Sequence, residues 1–310
     1  MGYPIAGGEA NYSNTGASNT SKFIPEIWST KLVEKFYAAT VFGEISNTDY
    51  EGEISEYGDK VIIRTIPSIT INNYTKGQSL TYQKPESANV ELLIDQGKYF
   101  AFEVKAIDKY QSDLNLMNDW SQDGGEQMKI SVDTDILAGI PASAAAANAG
   151  ATAGAISGAI DLGDNTTPLA VTKTNILDVL VDYGTVLDEQ NVPESNRWVV
   201  MPARMCALVK KSDLKDASLA GDGTSIMRNG RLGMIDRFTI YSSNNVATTE
   251  ANEYDVIFGH KSALTFAGQI TEMEDLPNPD DFGMLVRSLF VFGFEVIKPE
   301  SMGHSVVTMA

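Results

Sequence analysis

The sequence is poor in the residue types that carry most enzyme chemistry. Its 310 residues include a single cysteine and two histidines: Cys206, His260 and His304. One cysteine excludes an internal disulfide and a cysteine cluster for a metal, and two histidines leave little material for a catalytic triad or a zinc site. Cys206 lies in an apolar run, which favours a buried thiol over a nucleophile. We therefore expect no catalytic residue, metal site, cofactor or enzymatic activity.

Basic residues and long apolar runs are also scarce. The chain has 23 Lys and Arg against 41 Asp and Glu, which gives a net charge of −18. This balance argues against a protein that grips nucleic acid over a broad basic face. No stretch has the length and hydropathy of a transmembrane helix, so no membrane partner is expected. With 43% apolar residues the chain has an ordinary globular composition, and its length suits one large or two modest domains.

The most distinctive segment, residues 60–105, predicts two long strands joined by a turn. The tip, Asn73–Gln78, has turn chemistry, and apolar residues alternate with polar ones on either side of it. A two-stranded ribbon of this length is marginal alone in water. It must therefore lie on its own body or on a neighbouring molecule, unless it is a hairpin within a larger sheet. The residues that define the two strands are Val61–Ile66, Ile69 and Ile71, then Val90, Leu92, Ile94, Phe100, Phe102 and Val104.

Other segments predict a mixture of helices, strands and loops. Ile24, Trp28, Leu32 and Phe36 recur every four residues and predict a short helix after a polar tail. Further helices are expected over 106–140, interrupted near Gly124–Gly125, after an N-cap at Thr174, and from Pro202 to Lys211. Strands are expected at Arg197–Met201, Ile235–Tyr241, Asp255–Phe258, Leu264–Ile270, Phe290–Ile297 and Ser305–Met309, and loops at 138–163, 212–231 and the acidic 272–281. Because helices and strands do not alternate regularly, the predicted fold class is α+β.

Four segments together resemble the major capsid proteins of tailed bacteriophages, which share the Hong Kong phage capsid fold. They are Leu93–Gln111, Arg197–Pro202, Gly230–Asn244 and Gly259–Gln269 followed by Phe292–Pro299. The resemblance implies an N-terminal arm and short helix over 1–47 and an extended β-hairpin loop over 48–105. It also implies a peripheral domain with a long spine helix over 106–165 and 255–310, and an axial domain over 166–254.

The resemblance further implies a function and a set of partners. The subunit would self-assemble, as hexamers and pentamers, into an icosahedral head shell around the double-stranded DNA genome of a phage. A portal protein is the expected further partner, and DNA would be contacted weakly and without sequence specificity. A separate scaffolding protein or a decoration protein is a candidate partner, and assembly without a scaffold stays open. The protein would be part of the virion capsid and would be assembled in the host cytoplasm.

The expected inter-subunit contacts lie in the extended loop and the arm. The candidate residues are Ile69, Ile71, Tyr74 and Lys76 in the loop and Trp28 in the arm. The main alternative is an encapsulin-like shell of the same fold that stores cargo instead of DNA. A tail or fibre protein is disfavoured because internal repeats are absent. An enzyme that uses carboxylates alone, such as a glycosidase, stays formally open.

Overall fold

The computed structural model describes residues 37–38, 40–49, 60–67, 69–86, 89–105, 116–212, 233–248, 250, 252–279 and 281–309. The predicted tail, the helix that contains Trp28, and most of the loop 212–231 lie outside these residues. The helices are α1 (Phe42–Ile45), α2 (Leu116–Gly139), α3 (Ile176–Glu189) and α4 (Ala203–Lys211), with 3₁₀ turns at Ile140–Ser143, Ala146–Asn148 and Pro299–Ser301. No helix in the described part of the chain is long and apolar enough to cross a membrane.

The strands form three sheets. They are β1 (Lys60–Arg64), β2 (Asn89–Leu93), β3 (Gln96–Lys105), β4 (Leu169–Val171), β5 (Arg197–Met201), β6 (Met234–Ile235), β7 (Phe238–Ser242), β8 (Glu253–His260), β9 (Leu264–Pro277), β10 (Gly283–Val296) and β11 (Met302–Met309). β1 and β2 pair with each other, β3, β10 and β9 form a three-stranded sheet, and the remaining strands form a six-stranded sheet in the order β4-β11-β8-β5-β7-β6.

The six-stranded sheet separates two hydrophobic cores. Its inner strand β5 is buried at every residue, as expected of a continuous apolar run covered on both faces. Val199 and Met201 contribute to the core formed with α3 and α4, whereas Trp198 and Val200 contribute to the core on the other face, which includes the end of α2. The predicted strand at 197–201 and the helix that follows Pro202 are therefore confirmed.

The three-stranded sheet packs on α2. Alternate residues of β3 are exposed, while Phe100 and Phe102 are half-buried and Val104 is buried, as the predicted alternation requires. The ring of Phe102 meets that of Trp120 edge-on at 5.8 Å between centroids. The second predicted strand is thus divided, because its first part pairs in the ribbon and its second part joins β10.

The predicted interruption of the long helix near Gly124 and Gly125 is wrong. Helix α2 runs through both glycines without a break. A Cβ atom at residue 124 would lie 3.1 Å from ring atoms of Phe100, tighter than most real contacts. Gly124 therefore allows the helix to approach β3 closely, and this close packing offsets the low helix propensity of glycine.

The Ala- and Gly-rich segment 138–163 is also more than the surface loop that was expected. Buried Asn148 donates through Nδ2 to the carbonyl oxygens of Glu300 and Met302 at 2.8 and 2.9 Å, and its Oδ1 accepts from Gln190 at 3.1 Å. Leu162 is fully buried in the core beneath α3. Hydrogen bonds to distant parts of the chain thus hold a segment whose composition is typical of a linker.

The strand expected over Ile235–Tyr241 is a two-stranded hairpin. Asp236 and Arg237 both have positive φ, 44° and 67°, and join β6 to β7 in a two-residue turn. A turn of this type matches the natural twist of paired strands, but it disfavours residues with a Cβ. Ion pairs of Arg237 with Asp188 at 2.9 Å and Glu194 at 3.1 Å help to hold it.

Two smaller predictions also need correction. Helix α3 begins after Asn175 rather than at a Thr174 cap, and Asn175 Oδ1 accepts from the backbone N–H of Thr172 instead of capping the helix. The acidic run 272–275 belongs to β9 and not to a loop. Its pairing with apolar β10 explains this, since a partner strand can impose strand structure on a polar sequence.

The division into peripheral and axial domains stays a prediction. Segment 255–310 contributes β9 and β10 to the three-stranded sheet but most of β8 and all of β11 to the six-stranded sheet. Buried Asp133 of α2 joins the two regions to the start of the chain, because its Oδ1 accepts from the backbone N–H groups of Val41 and Phe42, both at 2.9 Å. Its Oδ2 accepts from Asn245 at 2.8 Å.

Candidate inter-subunit surfaces

The ribbon of β1 and β2 is attached to the body of the molecule through its inner face. Ile63 and Leu92 are buried against Ala267 of β9 and Val291 of β10. Gly293 of β10 lies so close to the ribbon that a Cβ there would collide with the carbonyl oxygen of Leu93. The base of the extended loop is therefore part of the packed protein.

Beyond this base, the register of the ribbon is kept up to the tip. Continuing the β1–β2 pairing along the chain places Thr70 opposite Gln83 and Thr75 opposite Gln78. The Gln83 side chain bonds to both the N–H and the carbonyl oxygen of Thr70, at 3.0 and 2.9 Å. Gln78 N–H donates to Thr75 at 3.0 Å, and Gly77 has the positive φ of 90° that a type II turn needs at this position. The predicted tip is thus confirmed.

The loop between base and tip exposes its large apolar side chains. Residues 69–86 are all exposed in the described structure, and Ile66, Ile71 and Tyr82 are 96%, 89% and 90% exposed. Such clustering is unusual on a monomeric protein and makes this loop a candidate interaction surface. The full set is Ile66, Ile69, Ile71, Tyr74, Leu80 and Tyr82.

The structure brings four of the five candidate contact residues together on this loop. Ile69, Ile71 and Tyr74 are exposed beside the tip, and Lys76 lies in the turn itself. Trp28 lies outside the described residues. Sequence reasoning missed Ile66, Leu80 and Tyr82. The signal for the last two was present, because Leu80 and Tyr82 keep the alternation of Val90 and Leu92 further along the same strand.

A second exposed surface lies at the far end of the three-stranded sheet. Phe282, at the turn between β9 and β10, is 85% exposed. The turn is well fixed, since Lys105 pairs with Asp281 at 3.2 Å and Asn278 donates to Glu103 at 2.7 Å. A fixed turn that presents an aromatic ring to solvent is a further candidate contact.

The scarce reactive residues are engaged in structural contacts. Cys206 is buried, and burial raises the pKa of its thiol, so little thiolate forms at neutral pH. His304 lies 3.0 Å from Asp255 between paired strands, and His260 Nδ1 lies 2.8 Å from the Ser262 hydroxyl. Within the described residues, no group of three or more His, Cys, Asp and Glu side chains is arranged to hold a metal ion.

Comparison with known proteins agrees with this architecture. A family model described as phage capsid protein matches residues 90–302, which is more than half of the chain. This chain belongs to the phage capsid protein family. Membership of a structural capsid family indicates a non-enzymatic role. No curated protein matches the chain.

Solved structures show how widely this capsid fold is shared. The chain is similar to a structure from Mycobacterium phage Che8, with 27% identity, a TM-score of 0.73, and coverage of 92% of this chain and 98% of that one. The capsid of cyanophage P-SCSP1u has 15% identity, a TM-score of 0.69 and 93% coverage of both chains. The capsid of Ralstonia phage GP4 has 15% identity, a TM-score of 0.60, and coverage of 96% and 97%.

The resemblance found in the sequence is therefore confirmed at the level of family and fold. The protein is a major capsid protein, and its place is in the shell of a virion. A cargo-storing shell of the same fold is not favoured by these matches.

Proposed function

We propose that this capsid protein forms an icosahedral head shell of hexamers and pentamers around the double-stranded DNA of a tailed phage, and that its extended loop joins neighbouring subunits. The observation that supports the loop's role is the set of six large apolar side chains exposed on it. Membership of the phage capsid protein family supports the role in a shell, and similarity to the capsids of several phages supports the proposed icosahedral form of that shell.

The pattern of the loop supports contact along one face. At the base, Ile63 and Leu92 point into the body and are buried. Continuing the alternation of the ribbon predicts that Ile69, Ile71, Leu80 and Tyr82 share this face. An apolar stripe that begins on its own body and continues past it needs a second molecule to cover it. Full burial of one such side chain contributes about 1.5–3 kcal/mol, so several of them would stabilise a contact appreciably.

The remaining partners follow from the same proposal. A subunit of charge −18 contacts packaged DNA weakly and without sequence specificity, because it releases few counterions from the phosphates. The shell would be assembled in the host cytoplasm and joined to a portal protein, with a separate scaffolding protein or a decoration protein as a candidate further partner. The N-terminal arm, including Trp28, would pack against a neighbouring subunit. We infer no catalytic activity.

Removal of the loop tip tests the proposal most simply. A deletion of Asn72–Leu80 should leave a soluble, folded subunit that fails to close shells, as seen by negative-stain electron microscopy and light scattering. Circular dichroism and thermal unfolding would show that the subunit is intact. Normal shells from the deletion variant would show that the loop does not join subunits.

A matched pair of point variants separates the loop from exposed apolar surface in general. Ile71→Ser and Ile156→Ser both remove an exposed isoleucine, 89% and 81% accessible, but only Ile71 lies on the loop. We expect Ile71→Ser alone to raise the protein concentration needed for assembly. Equal effects of the two changes would contradict a specific role of the loop.

A further inference from the structure

The outer part of the extended loop, residues 60–86, has a charge opposite to that of the rest of the protein. It contains Lys60, Arg64, Lys76 and Lys84 but only one acid, Glu86, so this part of the loop carries +3. Because the whole chain carries −18, all other residues together carry −21. A basic loop on a strongly acidic subunit is a charge arrangement that neither the family match nor the apolar stripe requires.

Three of these cations lack an ionic partner within the described part of the chain. Lys60 pairs with Glu91 at 3.1 Å at the base of the ribbon. Arg64, Lys76 and Lys84 are exposed and form no ion pair with a described residue; we call these three the loop cations. They lie among the exposed apolar side chains of the loop, so a molecule that docks on this surface would meet both.

We propose that the loop cations bind the acidic surface of a second copy of this chain and thereby make assembly sensitive to ionic strength. This inference rests on the proposed role of the loop in joining subunits. A neighbouring copy offers 40 carboxylate side chains outside its own loop. Attraction between a basic loop and an acidic body favours the contact through the loop, while repulsion between two acidic bodies disfavours other contacts.

Nucleic acid fits the loop less well. Among the described residues the loop offers three cations without an ion pair, these are interleaved with isoleucine, leucine and tyrosine, and the −21 of the remaining chain repels phosphate. A second copy of the chain can both pair with the charges of the loop and cover its apolar side chains.

The test compares two triple variants with the same net charge. R64Q/K76Q/K84Q removes the loop cations, and K173Q/K211Q/K261Q removes three exposed lysines elsewhere that form no ion pair in the described part of the chain. Both variants carry −21, so a difference between them reports the position of the charges and not their sum. The readout is the subunit concentration at which shells appear in DNA-free light scattering, with thermal unfolding as the check on folding.

At about 50 mM NaCl we expect the loop variant to need on the order of tenfold more protein than the control variant. At about 500 mM NaCl, where charges separated by more than a few ångströms are screened, the difference should shrink to less than about twofold. Equal concentrations for the two variants at low salt would overturn the inference.

The outcome can be separated from that of the proposed function. If Ile71→Ser impairs assembly while the two triple variants behave alike, the loop joins subunits without an electrostatic contribution, and only this inference fails. If the triple variants assemble alike but the loop variant alone loses affinity for duplex DNA, the partner of the loop cations is nucleic acid and the inference is again wrong.

Discussion

Strand β5 and the outer part of the extended loop both carry large apolar side chains, yet those of β5 are buried and those of the loop are exposed. Every residue of β5 is buried between β7 and β8 and between two cores, whereas residues 69–86 are all exposed. The presence of large apolar side chains alone does not explain this difference. β5 finds neighbours on both edges and both faces within its own chain, while the loop has such neighbours only at its base, and in our account other subunits supply the rest.

The largest expected effect is the difference in unfolding free energy between alanine substitutions at two leucines, one buried and one exposed. Leu180 is fully buried in the core beneath the six-stranded sheet, and Leu80 is 63% exposed on the loop. Leu180→Ala should lower the free energy of unfolding by about 2–5 kcal/mol, because it removes a buried side chain and leaves a cavity. Leu80→Ala should change it by less than about 0.5 kcal/mol. Chemical denaturation of both variants measures these changes. Comparable losses of unfolding free energy would contradict the difference between the buried and the exposed leucine.

Substitutions at two glycines test whether the base of the loop is packed against the body. Gly293→Ala should destabilise the subunit by about 1–3 kcal/mol, because its Cβ would collide with the backbone of Leu93 at the base of the loop. Gly125→Ala, in helix α2 with no atom within 4 Å of the added Cβ, should stabilise it by about 0.5–1 kcal/mol. Thermal unfolding measures both changes. A stabilising Gly293→Ala would show that the base of the loop is not packed as described.

Acid should weaken the body through Asp188. Partial burial raises the pKa of Asp188, but hydrogen bonds and charge from Arg197 and Arg237 outweigh this, so its pKa is lowered. Because the pKa of Asp188 is lower in the folded protein than in the unfolded chain, its ionised form stabilises the fold at pH values above the ordinary carboxyl pKa of about 3.9. This stabilisation is lost as the pH falls through the folded-state pKa. Asp188→Asn should therefore reduce stability at neutral pH and flatten its decline below about pH 4. An unchanged acid profile in urea unfolding would contradict this.

The smallest expected effect concerns Lys76. It is exposed in a polar turn, and an exposed amine lacks the desolvation that helps to activate a lysine as a nucleophile. We expect mature shells boiled in detergent to run as a single band near the monomer mass, and Lys76→Ala to leave this pattern unchanged. Ladders of covalent oligomers that disappear in Lys76→Ala would make it a reactive residue.

Segments whose environment is set by their own pattern could be predicted from the sequence. The apolar run Trp198–Met201 indicates a strand, and the Lys76–Gly77 turn follows from local chemistry. The exposure of Ile69, Ile71 and Tyr74 was predictable because a ribbon of that length cannot cover both of its faces.

Features that depend on distant contacts could not be predicted. In the sequence, Gly124 is typical of a helix break. Its close packing against Phe100 of β3, which favours glycine in an unbroken helix, is visible only in the structure. The segment 138–163 has the composition of a linker, and Asn148 holds it only through carbonyl groups about 150 residues further along the chain. The division of the second predicted strand between two sheets depends likewise on β10, far along the sequence.

Amide hydrogen exchange in free subunits and in assembled shells tests the central claim most directly. In the free subunit the amides of residues 69–86 should exchange rapidly, because nearly all lack a backbone partner in the described structure, while those of β5 should be strongly protected. On assembly the loop amides should slow by at least about tenfold while β5 stays unchanged. Loop amides that exchange equally fast in both states would contradict the claim that this surface joins subunits.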